Sequence, residues 1–313
     1  MVKPPAPRNR TIQLSESERK LLSNDFLKVD SPQSIALLQN KIIHGDIFDV
    51  ATFLPENFVD LLIIDPPYNL DKKFNSTSFK RTSLMLYAEW IENLLVILLN
   101  TLKQTASVYV CCDWFGSSAV HRVLEKHLIV RNRITWEREK GRGAKKNWKN
   151  CSEDLWFATV SDDYVFNVDD VKLKRRVIAP YTDDKGKPKD WHNGGDGQFR
   201  LTHPSNLWND ITVPFWSMPE NTAHPTQKPE KLMAKLILAS SNPRQVIFEP
   251  FMGAGSGIVT AKKLGRNFLG VEIDNDYCAL AAKRLLLAET DKTIQGYQSG
   301  VFYERNSTPS SKS

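Results

Sequence analysis

Cysteine is scarce in this chain: of its 313 residues only Cys111, Cys112, Cys151 and Cys278 carry thiols. No C-x-x-C pair and no histidine cluster accompanies them, which excludes a zinc-finger pattern and a disulfide framework and points to a reduced, cytoplasmic protein. Long hydrophobic runs are missing too. The longest, Leu94 to Leu99, falls far short of the roughly 20 apolar residues a bilayer span needs, so no membrane partner is expected. The first residues, Met1 to Arg8, are basic and proline-rich but lack the apolar stretch of a secretory signal. Charge is not strongly one-signed either. Against 36 acidic residues stand 42 basic ones, a net +6 and a pI near 9.0, which permits a polyanionic partner without demanding one. No internal repeat is visible.

With 41% hydrophobic residues the chain can close a substantial core. Short apolar runs alternate with longer helix-like stretches, the pattern of a parallel α/β sheet. Strands are expected at Lys41–His44, Val59–Ile64, Ser107–Cys112, Ile134–Trp136, Leu155–Thr159, Val246–Phe248 and Phe268–Val271. Helices are expected at Tyr87–Leu102, Ser117–Lys126, Lys228–Ala239, Gly257–Leu264 and Asp276–Leu287. Residues 1–38 read as a loosely structured arm with a short helix around Glu16–Leu27. Residues 291–313 read as a disordered tail. Residues 39–136 and 223–290 read as two halves of one domain.

Between the halves, residues 137–222 break the alternation. They hold Gly141-Arg142-Gly143, Lys145, Lys146, Lys172, Lys174, Arg175, Arg176, Lys185, Lys187, Lys189 and Gly194-Gly195, with five of the eight tryptophans: Trp148, Trp156, Trp191, Trp208 and Trp216. Basic groups interleaved with aromatics suit contact with phosphates and bases. A solvated, charged insertion with tryptophans as small-core anchors has the same composition.

Two motifs carry chemistry. In the first, the apolar strand Val59–Ile64 delivers Asp65-Pro66-Pro67-Tyr68 at its carboxyl end, where open α/β sheets bind ligands. The prolines lack N–H donors and stiffen the loop, leaving their carbonyls to face a pocket. An exocyclic amino group presents two N–H donors. The Asp65 carboxylate and the Pro66 carbonyl are suited to accept them, which favours a more tetrahedral nitrogen with its lone pair free. Tyr68 is suited to stack on the base. The plain alternative is a strand, a proline turn and an incidental acid.

The second motif is Phe248-Glu249-Pro250-Phe251-Met252-Gly253-Ala254-Gly255-Ser256-Gly257, between a strand and a helix. Closely spaced glycines let backbone approach a ligand. Glu272 follows Gly253 by 19 positions, at the end of the next strand, where an acid can accept both hydroxyls of a ribose. Alone, this motif fits a nicotinamide or flavin enzyme, or a structural glycine turn, as well as any other nucleotide site. Its G-x-G-x-G spacing departs from the dinucleotide G-x-G-x-x-G.

Together the motifs resemble those of the DNA amino-methyltransferases, which join a D/N/S-P-P-Y catalytic loop to an F-x-G-x-G cofactor loop. The catalytic loop comes first and the cofactor loop about 180 residues later, an order similar to the beta group, a circular permutation of the methyltransferase sheet. That group places its target-recognition region between the halves, where this chain has residues 137–222. His224-Pro225-Thr226-Gln227-Lys228-Pro229, the Asn206-Leu207-Trp208 element with Ile211, and Gly45-Asp46-Ile47 are similar to further family elements. The resemblance covers about residues 40–290.

The resemblance implies an α/β fold: a circularly permuted, Rossmann-like sheet of about seven mostly parallel strands, helices on both faces, and an inserted recognition region. It implies S-adenosylmethionine lying across Phe251, Gly253, Gly255, Ser256 and Gly257. Glu272 would hold its ribose with Ile273 alongside, Asp46 and Ile47 its adenine, and Thr226, Gln227 and Lys228 its amino acid, near Asp65. Asp65, Pro66 and Tyr68 are the expected catalytic residues. Double-stranded DNA is the expected partner, with the target base flipped out and the segment Asp71–Arg81 closing over it. Within that segment Lys72, Lys73, Lys80 and Arg81 are candidate phosphate contacts, or parts of a solvated loop. No metal is implied. Pairing with a second copy and a companion restriction endonuclease stay open.

In the family, Asp at the first catalytic position leans towards adenine N6 and Ser towards cytosine N4, so adenine is the expected target and cytosine the alternative. A protein glutamine methyltransferase would resemble N-P-P-Y with the glycine loop upstream, and neither feature is present. A non-catalytic nucleic-acid-binding module on the same fold is a further alternative, opposed by intact Asp65, Tyr68, Gly253, Gly255 and Glu272. Two departures stand out. Glu249 occupies a position usually held by Asp. Glu153-Asp154 replaces a frequent His-Glu, a change expected to bear on target reading and not on methyl transfer.

Overall fold

The computed structural model describes residues 7–74, 77–138, 145–177, 181–187, 189–194 and 197–304. Gly141-Arg142-Gly143, Gly195 and the end of the tail lie outside the described residues.

Eight strands form the main sheet: β1 (Lys41–His44), β2 (Val59–Ile64), β3 (Leu102–Cys112), β4 (Ile129–Glu137), β5 (Ser152–Thr159), β6 (Leu207–Trp208), β7 (Val246–Glu249) and β8 (Asn267–Glu272). Their order is β1-β8-β7-β2-β3-β5-β4-β6, and every strand except β5 runs in one direction. The eighth strand beyond the expected seven is β6, two residues paired beside Thr135 and Trp136.

β2 is buried along its whole length, which is why it reads as an unbroken apolar run. Its side chains alternate between two cores. Leu62 and Ile64 join one with helices α1 (Leu84–Leu99) and α2 (Ser117–His127). Leu61 and Ile63 join the other with α3 (Glu230–Ser240), α4 (Ser256–Lys263) and α5 (Asn275–Thr290). Ser83 caps α1 by accepting from the Leu86 N–H, and Asp274 caps α5 by accepting from Asp276 and Tyr277.

The pairing of β7 with β2, Ile247 opposite Leu61 and Phe248 opposite Leu62, brings the two halves of the chain into one sheet. As a result β1, β8, β7 and β2 are consecutive neighbours whose carboxyl ends open onto one cleft. β5 runs the other way, so its start faces that edge, with Glu153 opposite Trp136 and Asp154 opposite Cys112.

The strand expected at Leu155–Thr159 runs from Ser152 to Thr159 and, like β6, belongs to the main sheet although it lies within the span 137–222. Two segments differ from expectation. Residues 7–38 are not a loose arm. Ile12 bridges Thr222, the helix Glu16–Leu22 is tied to α5 by the Glu18–Lys283 and Arg19–Asp276 ion pairs, and Leu27 pairs with Ile43 along β1. Nor is the tail wholly disordered. Tyr297–Gln298 and Val301–Tyr303 form a hairpin that joins Leu173–Arg176, Gly197–Thr202 and His192–Gly194 in a second, five-stranded sheet. Phe302 is fully buried there, and Lys231 of α3 donates to the carbonyls of Asp210 and Tyr303, pinning that sheet to the main body. The segment Asp71–Arg81 contains a short hairpin, Lys72–Phe74 with Thr77–Phe79.

Candidate active site

A cavity of about 340 Å³ opens at the carboxyl ends of the four neighbouring strands. Asp46 follows β1, Asp65 follows β2, Phe251 and Gly253 follow β7, and Glu272 ends β8, so the sheet order alone gathers residues distant in sequence. Thr226, Gln227 and Lys228 close it from the loop that leads into α3.

At one end lies an ionic cluster. Lys228 Nζ donates to both oxygens of Asp65 at 2.7 Å and lies 3.3 Å from Glu153 Oε2. The Tyr68 hydroxyl is 3.2 Å from Asp65 Oδ1 and 3.2 Å from Glu153 Oε2, and accepts from Lys228 at 3.1 Å. Arg138 holds the other oxygen of Glu153. Burial, then the charges of Asp65 and Glu153, push the Tyr68 hydroxyl well above its ordinary range, so it remains a phenol that donates its hydrogen. Burial pulls the Lys228 ammonium down, but the carboxylates of Asp65 and Glu153 outweigh it and hold the lysine above its usual value. Glu153 therefore stands in one ionic cluster with Asp65, Tyr68 and Lys228, a place the sequence did not foretell. Asp154 beside it accepts from Ser117 and Thr135.

At the other end the lining turns aromatic. Phe48 and Phe251 flank Trp90 with ring centres 5.8 and 5.9 Å away. Asp46 caps the short helix Ile47–Val50 by accepting from the Phe48 N–H, which sets both Ile47 and Phe48 at the rim. Glu272 accepts the backbone N–H groups of Gly253 at 2.9 Å and Asp274 at 2.8 Å. Burial nonetheless pushes its carboxyl up to about 7. Gly253 adopts φ +52°, and a Cβ there would lie 2.8 Å from Nε2 of His224, whose ring packs edge-on against Tyr277. Ile273 is half exposed at the mouth.

Several predicted contacts act by holding the cavity's walls. Gln227 lines the cavity, but its amide accepts from the Thr222 N–H and hydroxyl and donates to the Glu220 carbonyl, fixing the loop. Ser256 donates to the Lys228 carbonyl and ties α4 to the same loop. Gly255 and Gly257 are not among the cavity's lining residues, contrary to expectation. Gly255 takes φ +76°, and a Cβ there would meet Ala281; one on Gly257 would meet the Glu249 carboxylate. Glu249 accepts the Ile258 N–H, filling the space beside Gly257, and burial pushes its carboxyl up to about 8. Gly255 thus serves the packing of α4 against α5, and Gly257 leaves room for the Glu249 carboxylate.

Trp90, Phe48, His224 and Tyr277 line the cavity without having been expected as contacts. Their sequence signals are weak: Trp90 sits among the apolar residues of α1, and Phe48 follows Asp46-Ile47 by one position. Arg81 lies over the Phe115 ring at 4.2 Å and Lys80 is exposed, so neither reaches the cavity in this structure.

The chain matches the family model described as DNA methylase over residues 59–283. It is 30% identical over 254 residues to the DNA adenine methyltransferase YhdJ of Escherichia coli (strain K12), covering 79% of this chain and 83% of that protein. Among solved structures, the M1.HpyAVI–SAM complex shares the fold at TM-score 0.50 and 24% identity, over 78% of this chain and 98% of that one. The cytosine-N4-specific PvuII DNA methyltransferase shares it at TM-score 0.61 and 15% identity, over 85% and 90%.

Proposed function

Because this chain belongs to the N6-adenine and N4-cytosine DNA methylase family, we propose that the base it methylates is adenine, at N6, in double-stranded DNA. It is an S-adenosylmethionine-dependent DNA methyltransferase. The cavity suits that cofactor. Its volume is in the range of small-molecule sites, it offers an aromatic wall at Trp90 and Phe251, and it presents the carboxylate of Glu272. Asp46 and Ile47, Glu272 with Ile273, Phe251 with Gly253, and Thr226 are the residues we assign to hold it. When bound, it supplies an electrophilic methyl group.

The observation that carries the choice of adenine is Asp65 at the first position of the catalytic loop, supported by the adenine assignment of the E. coli relative. Asp65 and the Pro66 carbonyl accept the two amino hydrogens and aim the nitrogen's lone pair, and positioning supplies most of the rate. Tyr68 presents its ring to the base while its hydroxyl stays anchored to the carboxylates. Reaching this cleft requires the base to leave the duplex, at a cost of a few kcal/mol.

We assign target reading to residues 137–222 outside β5, together with the C-terminal hairpin that completes the second sheet. On that sheet Arg175 lies opposite Arg200, and Lys174 rests over the rings of Phe199 and Tyr303. Arg175 is paired with Glu304 at 3.7 Å and Arg200 with Asp190 at 3.4 Å, and basic groups interleaved with aromatic rings suit contact with phosphates and bases.

The test is a labelled-donor reaction on DNA followed by base-resolved detection. N6-methyladenine is expected, and N4-methylcytosine would overturn the choice of base. Asp65→Ala should abolish transfer while leaving donor affinity within about twofold by calorimetry. Transfer at a comparable rate would remove Asp65 from the mechanism.

A further inference from the structure

Asp65 does not meet the cleft with free oxygens. Lys228 Nζ donates to both of them, and the same ammonium lies 3.3 Å from Glu153, a second carboxylate, itself buried, that the methyl-transfer reading leaves without a task. Glu153 stands where family members often carry histidine, so the arrangement follows from this chain's own residues.

We infer that Lys228 has two seats, resting on Asp65 in the ligand-free protein and drawn to Glu153 when the target amino group takes its place on Asp65, which makes Glu153 a positioning residue for methyl transfer. The inference rests on the methyl-transfer reading of this site. As the amino nitrogen accepts the methyl it keeps both hydrogens and carries a positive charge until one proton leaves. An ammonium bonded to the same carboxylate opposes that charge. Expelling the lysine to water would leave the buried Glu153 with Arg138 as its one cation, whereas a shift to Glu153 keeps the ammonium paired. The lysine side chain is only 5% exposed.

The surroundings fit two seats. The Tyr68 hydroxyl is equidistant from Asp65 and Glu153 at 3.2 Å, so its single hydrogen can turn to whichever carboxylate the ammonium vacates. Arg138 fixes the far oxygen of Glu153 and keeps the near one aimed at Lys228. The ionisable groups facing Lys228 are Asp65 and Tyr68 from the catalytic loop, Cys111 from β3 and Glu153 from β5, with Arg138 behind Glu153. Losing Glu153 removes one of the two carboxylates that hold Lys228 protonated, while burial continues to favour the neutral amine.

The test uses the full chain with Glu153→Gln, which keeps size and hydrogen bonding but removes the charge. Single-turnover methylation at saturating donor and DNA should slow at least about tenfold, with donor affinity within about twofold of wild type. The variant's rate should then climb with pH in the alkaline range, as Lys228 loses its proton and releases Asp65, where the wild type stays flat. Adding Lys228→Met should restore much of the lost rate. A rate equal to wild type, or a slow variant that neither pH nor Lys228→Met rescues, overturns the two-seat assignment. If Glu153→Gln fails to fold, the wild-type complex with a donor analogue and target DNA decides. Nζ on Glu153 and off Asp65 supports the inference, and Nζ still on both Asp65 oxygens overturns it. A wild-type protein that binds donor yet methylates no DNA overturns the functional reading itself, and the inference with it.

Discussion

Gly257→Ala should destabilise the protein without touching its ligands. A methyl at that position would sit 2.4 Å from Cδ and Oε1 of Glu249, well inside contact distance. The carboxylate ends a side chain that can move, but moving forfeits the bond from the Ile258 N–H at 2.9 Å, in a site where Glu249 is 2% exposed. Losing that bond costs about 1–3 kcal/mol, and overfilling the packing costs about 1–3 kcal/mol more. Alanine regains about 1 kcal/mol over glycine in a helix. A net loss of roughly 1–5 kcal/mol is expected, a fall in Tm of about 2–8 °C for a chain this size. Glu249→Asp withdraws the carboxylate by one methylene, so in that background Gly257→Ala should cost at least about 1 kcal/mol less. Thermal and urea unfolding of the two single variants and the double variant measure this coupling. Additive costs would refute the clash. So would a Gly257→Ala protein of full stability with weakened donor binding, because the glycine would then contact the donor after all.

The folded pKa of Glu272, about 7, lies above the ordinary 4.5, as does that of Glu249 at about 8. The native chain thus keeps protons that the unfolded chain releases, so ligand-free stability should fall as pH rises from about 4.5 to about 8, by a few kcal/mol. Unfolding midpoints across that range test it, Glu249→Gln and Glu272→Gln should flatten the slope, and a rise in stability would contradict the burial assigned to both groups. Glu272→Ala should weaken donor binding at least about tenfold if the carboxylate holds the ribose, because charged hydrogen bonds carry about 1.5–3 kcal/mol each; unchanged calorimetric affinity would remove that role. Neutralising Lys174, Arg175 and Arg176 together should weaken DNA binding and shrink its salt slope by up to about 3, with donor affinity unaltered. A full slope would place the phosphate contacts elsewhere.

The main sheet was legible because its strands are buried on both faces and so read as apolar runs, and β2 shows this along its whole length. The Asp65 and Phe251–Gly257 loops were legible because each lies at a strand's carboxyl end. What stayed hidden depends on partners far away in the chain. Glu153 looks like an acid at the start of an apolar strand. Only the reversed direction of β5 carries it to Tyr68 and Lys228, and direction leaves no mark on composition. The arm is polar and proline-rich, yet Ile12 and Leu27 order it through backbone pairing with Thr222 and Ile43. Gly255 and Gly257 carry the spacing of ligand-binding glycines, but Ala281 and Glu249 are what press against them.

The C-terminal hairpin bears on how the protein can be shortened. From sequence, residues past Glu289 invite removal. Phe302 is seated among Val171, Leu173 and Leu238, and Val301–Tyr303 supplies the parallel neighbour of Leu173–Arg176. Cutting the chain there would uncover an apolar socket and turn Leu173–Arg176 into a bare sheet margin, with unpaired N–H and C=O groups open to a strand of another molecule. A truncated protein of that kind is a candidate for self-association and aggregation, so appended sequences belong beyond Glu304.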